Sequence, residues 1–126
     1  MKTLLFVGFG SFFGGILRYG GGLLIGRISD TTAFPWHTLL INLSGCFLLG
    51  LLNGCFVQGW AHHDLRLALT VGLCGGFTTF STFSQESINL LRSGAWFCGT
   101  SYIALSVLAG LGSFAAGWYL GEHCCH

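Results

Sequence analysis

Apolar residues dominate four long stretches of the chain, approximately 3–26, 36–58, 66–91 and 96–120, with few polar positions between them. Each is long enough for the about 20 helical residues that cross the hydrocarbon core of a bilayer. The pattern predicts four transmembrane helices. The connectors RISDTTAFPW, QGWAHHDLR and RSGAW are short, so successive helices form antiparallel hairpins. Trp36, Trp60, Trp96 and Trp118 fall near the span ends, as in an interfacial aromatic belt. The opening MKTLLFVGFGSFFGGIL has the positive start and apolar run of a signal peptide, but no A-x-A-like cleavage site follows. It is expected to stay as the first span. The expected fold is an all-α integral membrane protein, a single four-helix transmembrane domain over residues 1–126.

Composition sharpens this in three ways. Charged residues are 7% of the 126, against about 25% in an ordinary soluble domain. A formal charge of +1 implies no nucleic acid or other polyanion partner. Lys2 and Arg66 flank one end of the spans and Arg27 and Arg92 the other, with Arg18 deeper in span one. Orientation follows an excess of Lys and Arg on the cytoplasmic side; two against two gives almost no instruction. Either Arg18 or the terminal amine breaks the tie, or the chain inserts both ways and opposite copies pair. Glycines four apart (Gly10 and Gly14, Gly22 and Gly26, Gly50 and Gly54, Gly117 and Gly121) offer faces for close helix packing, within or between subunits. Of six cysteines, four fall inside apolar spans, where Cys acts as a small buried hydrophobe. The tail EHCCH reads as a mobile end rather than a metal site, because its ligand-capable residues lack zinc-site spacing.

The third span holds a contradiction. Between Gly75 and Phe83 stand two glycines, four Ser or Thr and three Phe, with no Ala or Leu. Glycine costs about 1 kcal/mol relative to Ala in a helix, and Thr several tenths. Residues 75–79 are thus the weakest helical point, and the third helix is expected to break near Gly75–Thr79. Irregular backbone at membrane depth survives only where protein or a cavity covers it. Two outcomes stay open: a simple kink with hydroxyls bonded back to carbonyls, or freed carbonyls that hold a hard cation.

Beyond the break, Phe80 and Phe83 share a helix face, while Thr79, Thr82 and Glu86 line another and Thr78, Ser81 and Gln85 a third. Asn42 and Asn53 lie nearly on one face of span two, and Tyr102, Ser106, Gly110 and Ser113 form a small or polar stripe on span four. Arg18 and Glu86 are ionisable groups inside spans, which are functional candidates by default. Hydroxyl and amide donors together with the positive edges of phenyl rings suit a small anion. No enzymatic constellation is present.

GGFTTFSTFSQE with INLSGCFLLG and GGILRYG resembles the CrcB/Fluc family of bacterial fluoride channels, over nearly the whole chain. The resemblance implies passive fluoride export by an antiparallel, dual-topology homodimer with two pores, in the bacterial inner membrane. It implies a structural Na+ at the dimer interface, held by backbone oxygens of Gly75 and Thr78. Phe80 and Phe83 would present ring edges to fluoride, with Asn42, Ser81 and Thr82 as donors and Tyr102 and Ser106 as a polar track. Arg18 and Glu86 match the family's span-one arginine and post-break carboxylate. The chain departs from the family pattern at His37, where a glycine is usual, and at Gly110, where a hydroxyl is expected. Alternatives are a proton-coupled small exporter using Glu86 and a non-transporting membrane assembly subunit.

Overall fold

The computed structural model describes residues 1–29 and 32–125, all helix, turn or irregular chain with no strand among them. The helices are α1 (Lys2–Ser29), α2 (Trp36–Val57), α3 (His63–Leu67), α4 (Gly75–Phe77), α5 (Phe80–Arg92) and α6 (Trp96–Cys124). Between α3 and α4 the chain is π-helical over Ala68–Cys74. Four units are long and apolar enough to cross a membrane: α1, α2, α6 and the composite stretch His63–Arg92. In the first connector, Asp30 and Thr31 lie outside the described residues.

Helices α1, α2 and α6 are apolar nearly all round, whereas α5 is strongly amphipathic. Lipid supplies no hydrophobic drive between apolar helices, so small residues that let backbones touch decide which ones pair. In α2, Gly50 and Gly54 lie against the backbone of Phe114, Trp118 and Gly121, while Gly117 and Gly121 of α6 lie against that of Phe47, Leu51 and Gly54. A Cβ at Gly50 would run into the Phe114 carbonyl, and one at Gly117 into that of Phe47. The same device joins α1 to the third span. Gly10 and Gly14 meet Ala68, Leu73 and Gly76, and Gly72 and Gly76 meet Val7, Gly10 and Ser11. The pair Gly72 and Gly76 also has the four-residue spacing, unremarked in the sequence. The pair Gly22 and Gly26 packs no backbone: Gly22 faces only the Ile41 side chain at 3.8 Å, and Gly26 faces open space.

Two expectations need correction. The chain end does not behave as a mobile tail: α6 continues to Cys124, the Trp118 indole donates to Glu122 Oε1 at 2.7 Å, and Cys125 is disulfide-bonded to Cys55. Cys55 is therefore a tether rather than only a small hydrophobe; α2 and α6 run parallel and end together, which brings two residues 70 apart in sequence within reach. His126 lies outside the described residues. The helix break falls within the expected segment 75–79, at its C-terminal end. Gly75–Phe77 stay helical, and the chain is extended at Thr78 (φ −81°, ψ 157°) and Thr79 (φ −146°, ψ 112°). Gly76 serves close approach to Ser11 of α1, and the β-branched threonines suit extended backbone.

Candidate functional site

The interruption is held open by side chains. Asn42, on α2, accepts from the Thr79 backbone N–H at 2.8 Å and donates from Nδ2 to the Thr79 carbonyl at 3.1 Å. One amide thus satisfies both backbone groups of the extended residue. Thr79 Oγ1 then caps α5 by accepting from the Thr82 N–H at 3.2 Å, and donates to Thr82 Oγ1 at 3.0 Å. Ser81 Oγ stands 3.4 Å from the same hydroxyl. On the other side of the break, Thr78 closes α4: its N–H and its hydroxyl both donate to the Cys74 carbonyl at 3.0 Å.

This bonding diverts the donors of two carbonyls at the break. In an unbroken α-helix the Thr79 N–H would serve the Gly75 carbonyl, and the Thr82 N–H that of Thr78. Asn42 takes the first donor and the Thr79 hydroxyl takes the second. Gly75 and Thr78, whose oxygens were expected to be cation ligands, are the two residues whose carbonyls lose their helical partner this way. Gly75 is exposed on the surface of the single chain.

Beside the break runs a groove of about 390 Å³, walled by Asn42, Gly45 and Cys46 of α2, Thr78 and Thr79 of the break, Phe80 and Phe83 of α5, and Ser106 and Gly110 of α6. The two phenyl rings stand 5.6 Å apart at 47°. Phe80 is 79% exposed in the single chain. Ser106 Oγ is buried and has no hydrogen-bond partner, so this wall carries an unused hydroxyl. Asn42, Phe80, Phe83 and Ser106 are therefore brought together on one groove. Ser81 and Thr82 belong to the capping cluster instead, and Tyr102 lies behind the groove.

Tyr102 is fully buried, with its ring 5.3 Å from that of Phe83 and 5.4 Å from that of Phe34. Its hydroxyl donates to Glu86 Oε2 at 2.8 Å, and the Thr38 hydroxyl donates to Glu86 Oε1 at 2.8 Å. His37 Nε2 lies 3.2 Å from the same Oε1. Sequence reasoning missed Thr38 and gave His37 no partner. The signal was available for Thr38, which lies one helical turn before Asn42 on the same face of α2. His37 stood out only as a departure from the family pattern, and nothing local announced its contact with Glu86, 49 residues distant in sequence. A second cleft, of about 570 Å³, opens beyond this cluster and is walled by both His37 and Glu86. Arg18, half-buried on α1, belongs to the wall of neither cleft.

The polar groups thus form a track along α5: cleft, Glu86 with its three neighbours, the Phe83 ring, then the groove at the break. Chemically it offers hydroxyls, an amide and ring edges, with one carboxylate at the end. Comparison with known proteins gives this arrangement a family. The family described as "CrcB-like protein, Camphor Resistance (CrcB)" matches residues 5–118. A protein of Phocaeicola vulgatus named "Fluoride-specific ion channel FluC" is 43% identical over 122 residues, covering 97% of this chain and 100% of the relative. The protein of the same name from Bacteroides fragilis is 39% identical over 124 residues, 97% of this chain and 98% of its own length. "Fluoride-specific ion channel FluC 1" of Streptomyces avermitilis is 42% identical over 120 residues, 94% of this chain and 95% of its own. The break, the groove and these full-length likenesses together mean that the chain belongs to the CrcB-like family.

Proposed function

We propose that this chain is a fluoride channel that lets the anion cross a membrane passively. The observation that carries the reading is the groove at the helix break, lined by Asn42, Phe80, Phe83 and Ser106, in a chain whose full-length relatives are named fluoride-specific channels. Amide and hydroxyl donors with phenyl edges can replace water around a small anion without the tight grip of a fixed cationic ring, which favours rapid passage. The membrane potential supplies the drive, about 2.3 kcal/mol per elementary charge per 100 mV. No catalytic step is required.

The working unit is an antiparallel homodimer of dual topology, with two pores. The exposed Phe80 ring and the exposed Gly75 support this, since a carbonyl that has lost its helical donor at membrane depth needs protein cover that one chain does not supply. The balanced arginines and lysines support the opposed insertion. A structural Na+ fits the same place. The Gly75 and Thr78 carbonyls, with their helical donors diverted, are oxygen ligands of the kind hard cations take, and a second copy would double their number. When bound, the ion would tie the two breaks together electrostatically.

The test is efflux from proteoliposomes followed with a fluoride-selective electrode. The channel reading expects fluoride flux far above chloride flux, driven by voltage alone. A flux that requires a proton gradient would instead support an exporter working through Glu86. Purified dimer that passes neither ion would sink both.

A further inference from the structure

The larger cleft has a charge that the channel reading leaves unexplained. It lies at the end of the bundle where α1 finishes and α2 begins, and its wall includes Gly22, Gly26, Phe34, His37, Glu86 and Asn89. Glu86 is its one carboxylate among the described residues, and an anion approaching the groove by this route meets that charge first. The Glu86 side chain is 19% exposed and that of His37 42%, so the pair is at the surface of the cleft, not sealed beneath it. Resting on the fluoride-channel reading, we propose that this cleft is the anion entrance to the groove and that His37 sets its charge. An imidazolium 3.2 Å from Glu86 cancels the carboxylate and admits fluoride, whereas a neutral imidazole leaves a net negative mouth that repels it.

Cleft and groove share no wall residue and are separated by a single layer of side chains. Glu86 on the cleft wall and Phe83 on the groove wall are one turn apart on α5, and Tyr102 bonds the first and packs on the second. Among the described residues, the charged and titratable groups on His37's side of the cleft can be named. From α5 it faces the Glu86 carboxylate, and from α6 the Tyr102 hydroxyl reaches that same carboxylate. From α1 the cleft wall is Gly22 and Gly26, which carry no charge. Arg27 and Arg92 end their helices on this side of the bundle without belonging to the cleft wall. The Thr38 and Tyr102 hydroxyls already satisfy the carboxylate oxygens from within, which leaves the outward-facing compensation to His37. Histidine is the side chain whose charge changes between about pH 5 and 8. Entrance charge therefore follows pH in the range where acid conditions load cells with fluoride as neutral HF.

The experiment compares fluoride efflux from proteoliposomes at pH 8 and pH 6, with the HF leak of protein-free vesicles subtracted. Wild type should run about threefold faster at pH 6, the factor that one elementary charge exerts on an anion roughly 6 Å away in water. His37→Gln should be flat between the two, and His37→Lys should hold the faster rate at both. A pH response that survives in His37→Gln, or its absence from wild type, overturns the proposal. Intact fluoride flux without that pH response overturns the entrance alone. Wild type that passes no fluoride at either pH overturns the channel reading and the entrance with it.

Discussion

Replacing Asn42 by Ala tests the central feature of the site, because one side chain holds the broken helix open. The substitution removes the 2.8 Å and 3.1 Å bonds to Thr79 and leaves the N–H and C=O of a residue only 7% exposed without partners. A buried polar group stripped of its partner costs about 1–3 kcal/mol, so the extended conformation loses about 2–6 kcal/mol if neither group is rescued. The N–H has a rescue available in the Gly75 carbonyl, which it reaches by continuing the helix. The balance therefore moves toward a straightened segment, and a shift of about 3 kcal/mol is on the order of 100-fold in population. Fluoride efflux should fall by a similar factor while the variant still elutes as a discrete species. Asn42→Asp should be no better, since it keeps the acceptor for the N–H but turns a second carboxylate oxygen toward the Thr79 carbonyl. Amide hydrogen exchange at Thr79 separates this from loss of a pore donor alone, which would cut flux without exposing that amide. Unchanged exchange at Thr79 in Asn42→Ala, or flux within threefold of wild type, refutes the clamp.

Other outcomes follow from the same geometry. Phe80→Ile and Phe83→Ile should each lower fluoride flux at least tenfold with the oligomer intact, because an aliphatic side chain has no positive edge; full flux in both would remove the rings from the route. Thr78→Ser keeps the hydroxyl that bonds the Cys74 carbonyl, so sodium-dependent dimer stability should be retained, and its loss would argue for side-chain ligation. Gly117→Ala drives a methyl into the Phe47 carbonyl and should cost about 1–3 kcal/mol or more, read as a lower melting temperature in detergent. Cys55→Ser removes a cross-link between residues 70 apart, for which the chain-entropy relation gives about 4 kcal/mol. Wild type should lose thermal stability on reduction, and the variant should not respond.

How much of this was legible follows from the range over which each feature is decided. Four membrane spans, their antiparallel order and the location of the weak segment are local consequences of hydrophobic run length and helix propensity, and the chain states them outright. The spacing of Gly10 and Gly14, Gly50 and Gly54, and Gly117 and Gly121 announced close contacts too, although Gly22 and Gly26 carry the same spacing and pack nothing. Spacing marks a face; only the neighbouring helix decides whether that face is used. Within that weak segment the extended Thr79 is held by a side chain 37 residues away, and Glu86 gathered Thr38, His37 and Tyr102 from two other helices. Cys55 and Cys125 became partners because two helices ended together. The sequence determined that this chain lives in a bilayer and where its third span is weak, since solvation and backbone propensity act residue by residue. The tertiary structure decided how the break is held and which polar groups face one another, because in a medium without water a polar group that its own helix does not satisfy must find its partner on another segment of the protein.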